Sequence, residues 1–298
     1  IMAELDVLQA NCPEGVTCTV EEVGSSYEGR PMKMFRMTKP GSGRQGIFMD
    51  SLIHCREWLA GATNMGILIR LVNEYGTNPD ATRLVDTYDW HFLPVFNPDG
   101  YEFTWTDDRF WRKNRTPNQG QTCLGTDLNR NHNFMWGTPG SSDFPCSTTY
   151  RGATAGSEPE VQIVEREGEA LRGSLLLWMT WHTTGQYYLY PFGTVDNNNC
   201  MVADDDTDLA RVGQAAIDAI FDYSGTTWVA GSTCGALYAA SAITQDWAYG
   251  VGLAKYSYTP ELRGPGFDPE PSNVRPSIEE NWRALVAMIN EIEDIEGL

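Results

Sequence analysis

His54-Cys55-Arg56-Glu57-Trp58 follows an apolar run, Gly46-Ile47-Phe48-Met49-Asp50, and precedes an apolar-periodic segment at 58–72. The run predicts a short buried strand and the segment a helix. A histidine and a glutamate three residues apart at such a junction can point at one spot. Imidazole nitrogen and carboxylate oxygen are the ligands of a catalytic zinc that keeps one position open for water. A third protein ligand is then needed. The chain holds only four histidines, His54, His91, His132 and His182. His182 ends a second buried-strand pattern at 175–180, where open α/β sheets place ligand-binding residues. An isolated His-x-x-Glu is more often a hydrogen-bonded pair than a metal site, so the motif needs support from the rest of the chain.

The sequence is 298 residues long with a net charge of −19. That charge argues against nucleic acid or anionic membrane surfaces as partners. No apolar run of about eighteen residues occurs, so no helical membrane span is expected. The seven cysteines (12, 18, 55, 123, 146, 200 and 234) show no Cys-x-x-Cys spacing. Six scattered cysteines suit three disulfides in a secreted protein, with Cys55, inside the metal motif, as the odd one out. Cys12 and Cys18 bracket a tight loop and are expected to pair by proximity. The chain opens at Ile1, which reads as a processed or trimmed mature form of something longer.

Further strands are expected at 32–37, 89–95, 187–190 and 255–259, with an amphipathic fragment at 1–9 and turns at 40–43 and 97–100. Ser157-x-x-Glu160 and Ser277-x-x-Glu280 read as capping boxes opening helices that run to about 171 and 295. A third helix, at 209–223, follows the acidic 204–208 segment. Residues 101–156 are polar with little periodicity, which marks a functional loop. Alternating strands and helices predict an α/β fold: one domain, 1–298, with a central mixed twisted sheet covered by helices on both faces.

The pieces in order are His54-Cys55-Arg56-Glu57-Trp58, Asn97-Pro98-Asp99-Gly100-Tyr101, Trp111-Arg112-Lys113, Asp127-Leu128-Asn129-Arg130-Asn131, His182, Leu237-Tyr238, Asp246-Trp247 and Glu261-Leu262-Arg263. Together they resemble the zinc carboxypeptidases of the pancreatic A/B type, over nearly the whole chain. The resemblance implies one Zn2+ held by His54, Glu57 and His182, with Asp127 orienting a zinc histidine. It implies Glu261 as general base and Arg112 as the group facing the developing oxyanion. Asn129 and Arg130 match the clamp for a C-terminal carboxylate, Tyr238 a mobile cover, and Arg56 a secondary substrate contact, though a plain salt-bridge role for Arg56 is nearly as well supported. His91 and His132 match nothing in that site and are expected to be structural or exposed.

By the same resemblance Gln245 is the floor of the pocket for the C-terminal side chain, and Gly193, Thr233, Ala240 and Thr259 line it. The A-type carries an aliphatic floor and the B-type an aspartate, and Gln245 is neither. A polar, uncharged pocket is therefore expected, favouring neutral C-terminal residues. B-like or other unusual specificity is the alternative within the family. Thr183-Thr184 stands where the pancreatic enzymes usually have a Ser and a Tyr, and the loop at 197–199 looks longer than theirs. The family pattern implies disulfides Cys123–Cys146 and Cys200–Cys234, and non-proline cis bonds at Thr183–Thr184, Pro191–Phe192 and Arg263–Gly264. It implies a secreted, zymogen-derived, monomeric enzyme whose partners are peptide or protein C-termini and proteinaceous carboxypeptidase inhibitors. Two other classes compete: an inactive relative kept as a binding module, and an intracellular tail-trimming enzyme. The first typically lacks a ligand or the base, all present here, and the second lacks this cysteine pattern. Asn114-Arg115-Thr116 is a glycosylation sequon two residues from Arg112, where a glycan would crowd the cleft, so it is expected to stay unmodified.

Overall fold

The computed structural model describes residues 1–41 and 43–298. Helix α1 (Met2–Ala10) leads into β1 (Thr17–Ser25), β2 (Pro31–Thr38) and β3 (Gly46–Ser51). Then come α2 (Trp58–Glu74), α3 (Pro79–Thr87), β4 (Asp89–Leu93) and α4 (Pro98–Thr106). A long irregular stretch, with a 3-10 turn at Leu128–Arg130, reaches α5 (Pro159–Ala170). The chain continues through β5 (Leu175–Thr183), β6 (Tyr187–Tyr190), β7 (Val195–Asp196), β8 (Asn199–Cys200) and α6 (Asp206–Ser224). It closes with β9 (Val229–Ser232), α7 (Thr233–Ala236), α8 (Thr244–Gly250), β10 (Tyr256–Leu262), a 3-10 turn at Pro271–Asn273 and α9 (Val274–Glu296).

Eight strands make one sheet in the order β1-β2-β4-β3-β5-β10-β6-β9, and β7 with β8 forms a separate hairpin. The centre is parallel, with β3 between β4 and β5, and β10 on the far side of β5. β1, β2 and β6 pair antiparallel, so the sheet is mixed. β3 and β5 are buried along their whole length. Parallel central strands covered on both faces read as continuous apolar runs for this reason. Their side chains still alternate between two cores. Ile47, Met49, Leu177 and Met179 pack with α2, α3, α6 and α9, while Phe48 and Trp178 face α5 and α8. Phe48 and Trp178 stack across neighbouring strands at 3.9 Å. The architecture is the expected α/β sheet with helices on both faces.

Several local expectations change. Asn97-Pro98-Asp99-Gly100 opens α4 instead of a turn. Asn97 is the N-cap, its Oδ1 accepting from Gly100 N at 2.9 Å, with Pro98 in the first turn. Gly100 is required by contact: a Cβ there would lie 2.5 Å from Cys55 Sγ. Neither capping box caps. α5 starts after Glu158, which makes no capping bond, and Ser157 donates to the Glu158 carboxylate. α9 starts at Val274, so Ser277 lies inside it, bonded to Thr63, while Glu280 pairs with Arg263. The adjacent carboxylate took the first serine and a tertiary partner the second. The expected turn at 40–43 contains Ser42, which lies outside the described residues.

Thr183–Thr184 and Pro191–Phe192 are cis, but Arg263–Gly264 is not. The chain turns there through Gly264 at φ +127°, a conformation open to glycine. All three expected disulfides are present, Cys12–Cys18, Cys123–Cys146 and Cys200–Cys234, and Cys55 is a buried free thiol.

Candidate metal centre and cleft

The motif residues lie where β3 ends and α2 begins. Leu52, at φ 59°, turns the chain out of the strand. Glu57 is the N-cap residue of α2, yet its side chain makes no capping bond. It turns toward the histidines instead: Glu57 Oε1 lies 2.9 Å from His54 Nδ1 and Oε2 lies 3.0 Å from His182 Nδ1. The two imidazole Nδ1 atoms are 3.1 Å apart. Ligand atoms of His54, Glu57 and His182 all lie within 4.8 Å of one another, and all three residues are buried. Three such donors without a cation between them would crowd their lone pairs, so the donor set fits a metal ion. Burial lowers the pKa of His182, which favours the neutral imidazole a ligand needs. For Glu57, burial pushes upward, but the His54 and His182 imidazoles outweigh it and hold the carboxyl well below its ordinary range.

Asp127 caps the 3-10 turn at 128–130 and is fully buried. Its Oδ1 meets His54 Nε2 at 3.1 Å, leaving Nδ1 free toward Glu57. Its Oδ2 accepts from Arg112 Nη2 at 2.8 Å and Nε at 3.2 Å. Burial alone would raise the Asp127 carboxyl, and the Arg112 guanidinium drives it well below the usual range. One carboxylate thus orients both an imidazole and a guanidinium.

Glu261 reaches the same end of the sheet on β10, paired in register with His182 on β5. Burial, reinforced by the Glu57 carboxylate, raises its carboxyl well above the ordinary value, with Arg112 and Arg130 pulling the other way. Arg130 is 3% exposed and donates to Gly140 O and Asn129 O. Asn129 Oδ1 accepts from the backbone N–H and hydroxyl of Thr244, which orients its Nδ2 toward His182. Arg56 stacks on Phe267 at 3.9 Å, and Tyr238 is 52% exposed at the rim.

These groups share one cleft of about 180 Å3. Its lining includes His54, Glu57, Arg112, Asn129, Arg130 and Glu261 at one end, and Thr233, Ala240, Gln245 and Thr259 at the other. Gly193 does not line it. Its N–H is held by Asp246, and its Cα backs onto Ala240 O, Ile243 and Thr233, so it supports the wall from behind. Sequence reasoning missed Leu189, Ile243 and Phe267, which do line the cleft. Leu189 stands opposite Thr259 across the β6–β10 ladder, a pairing no sequence period reveals.

His91 and His132 are both buried and lie outside the cleft lining. His132 sits against Trp247, bonded to Glu165 and Thr244. Asn114 of the sequon is 0% exposed, and its Nδ2 donates to both Glu158 and Glu160. No helix among the described residues is long and apolar enough to cross a membrane.

The family model for zinc carboxypeptidases matches residues 1–284. Carboxypeptidase A2 of Mus musculus is 36% identical over 297 residues, covering 99% of this chain and 69% of that protein. Carboxypeptidase B of Astacus astacus is 36% identical over 298 residues, covering 99% of this chain and 95% of the other. The structure of bovine thrombin-activatable fibrinolysis inhibitor, in complex with tick carboxypeptidase inhibitor, matches with a TM-score of 0.90 at 29% identity, over 100% of this chain and 96% of that one. Agreement along almost the whole chain, joined to a His-Glu-His group at the carboxyl ends of parallel strands, makes this protein a member of the zinc carboxypeptidase family and a zinc-dependent metallocarboxypeptidase.

Proposed function

We propose that the chain, as one catalytic domain, removes neutral C-terminal residues from peptides and proteins. The observation that carries this reading is the meeting of His54, Glu57 and His182 beside Glu261 and Arg112 in one cleft. His54, Glu57 and His182 would hold one zinc ion per chain. When bound, zinc acidifies a water and polarises a carbonyl.

The protein's own groups do the rest. Arg130, with Asn129, clamps the substrate's terminal carboxylate through a planar guanidinium fork. That clamp makes the enzyme an exopeptidase. Arg112, locked by Asp127, faces the scissile carbonyl oxygen as charge grows on it. Glu261 takes a proton from the attacking water and returns it to the leaving amine. Tyr238 closes over the bound residue, and Arg56 meets the residues upstream.

Gln245 at the pocket floor is neutral, and the carboxylates lining the cleft, Glu57 and Glu261, lie at its metal end. A buried Lys or Arg head would lose its solvation without an anionic partner. Neutral side chains are thus preferred. The relatives named A and B at equal identity do not discriminate, so the pocket chemistry supports this choice. The three disulfides fit secretion. A proteinaceous carboxypeptidase inhibitor, such as the one in complex with the bovine relative, would be a further partner of this chain, and we take the chain to be monomeric. Metal analysis with hydrolysis of blocked dipeptides tests the reading. Stoichiometric zinc and release of a C-terminal Leu or Phe are expected, and release of Lys or Arg faster than Leu or Phe overturns the specificity.

A further inference from the structure

This inference rests on the reading above and names the side-chain class the pocket selects. Gln245 is 1% exposed, and its Nε2 donates to Thr233 Oγ1 at 2.5 Å. The Thr233 hydroxyl has its own acceptor, Tyr190 O at 3.5 Å, so it offers Gln245 a lone pair. The amide thus stands with its nitrogen toward Thr233. Gln245 Oε1 is buried and, among the described residues, has no hydrogen-bond partner. Buried polar atoms are nearly always paired, and an orphan calls for an explanation. Around it the wall is apolar at Leu189, Ala240 and Ile243. The neighbouring Asp246 supplies nothing to the pocket, because its oxygens accept from the backbone N–H groups of Gly193 and Thr194.

Gln245 therefore presents an acceptor and, beside it, the second N–H of its amide nitrogen. The geometry points to a C-terminal glutamine or asparagine as the favoured substrate residue, its primary amide pairing reciprocally with that of Gln245. A primary amide complements both the free acceptor and the free donor without burying charge. A glutamate or aspartate sets acceptor against acceptor and brings an unpaired charge. Methionine matches glutamine in length but leaves Oε1 unpaired. Lysine supplies donors at the cost of an uncompensated ammonium.

The test is kcat/KM on blocked dipeptides that share a penultimate residue and end in Gln, Asn, Glu, Asp, Met, Leu or Lys. The better amide should exceed Met and Leu by about tenfold or more, and its own acid by about a hundredfold, since sites built to hydrogen-bond a substrate reject analogues lacking the group. Gln245→Met should reverse the Gln-over-Met order. If that variant does not fold, the panel on the unaltered enzyme decides. Hydrolysis of Met and Leu at or above the amide rate overturns this inference and leaves the carboxypeptidase reading standing. Hydrolysis of none of the seven overturns both, whereas Lys hydrolysed fastest overturns this inference and the preference for neutral residues but not the carboxypeptidase reading.

Discussion

Glu261 and His182 stand directly beside each other on the parallel strands β10 and β5, on the same face of the sheet. The ladder therefore sets the distance between a candidate base and a candidate metal ligand, and each can be removed separately. Glu261→Gln should retain zinc and lose activity by roughly a hundredfold to ten-thousandfold. His182→Ala should lose the metal itself. Metal analysis alongside turnover checks both, and near-normal turnover in the Gln variant refutes the mechanism.

Asp127 couples two functions, because its oxygens are divided between His54 and Arg112. Asp127→Asn should weaken zinc binding by about 10- to 100-fold, as loss of such outer partners typically does. It should also free Arg112, so kcat measured at saturating zinc should still fall. Chelator competition and zinc-saturated kinetics separate the effects, and unchanged zinc affinity counts against the arrangement.

Replacing the pocket floor should redirect the enzyme. Gln245→Asp replaces the neutral amide at the pocket floor with a carboxylate set one methylene deeper. Cleavage of C-terminal Lys and Arg should rise by at least about tenfold, equivalent to about 1.4 kcal/mol for a new buried pair. A flat response would mean that basic side chains do not reach residue 245.

His91 makes stability depend on acid. Burial, then the nearby Arg36 guanidinium, lowers its imidazole from 6.5 to about 4. Between those pH values the unfolded chain holds a proton that the folded chain does not. Stability from this group is complete above about pH 6.5 and is lost as pH falls toward 4, by up to about 3 kcal/mol. Urea midpoints for the unaltered protein and His91→Gln should diverge in slope across that window, and parallel slopes would exclude His91 as the cause.

The cysteines predict one reactive thiol after unfolding without reductant, and almost none before, because Cys55 is 0% exposed. The Cys12–Cys18 bridge closes a separation of 6 residues and Cys200–Cys234 one of 34. On the chain-entropy model, removing the longer bridge should cost about 1.5 kcal/mol more. Thermal unfolding of the two double-alanine variants compares them, and equal losses would sink the entropy account.

The sequence made the sheet's centre plain, because β3 and β5 are largely apolar strands, buried along their whole length, with His54 just beyond one and His182 near the end of the other. Residues on one short motif were equally visible. Less visible were features that depend on pairing across the fold. Leu189 and Gly193 could not be sorted into lining and backing without the β6–β10 register. Ser157 and Ser277 had the spacing of caps, but Glu158 and Thr63 engaged their hydroxyls. α3 went unread although Asn78, as N-cap, and Pro79 carry an ordinary start signal. α4 was obscured by the Asn97–Gly100 segment, which reads equally well as a turn.

Asn114 gives the protein a constraint on its own synthesis. Its amide nitrogen is the atom a glycosyltransferase would modify, and in the fold that nitrogen joins the buried carboxylates of Glu158 and Glu160. An N-linked sugar on Asn114 cannot be accommodated at 0% exposure. A sugar on that nitrogen and the native contact with Glu158 and Glu160 therefore exclude one another, so in a compartment that glycosylates emerging chains only a chain left bare at Asn114 can complete this packing.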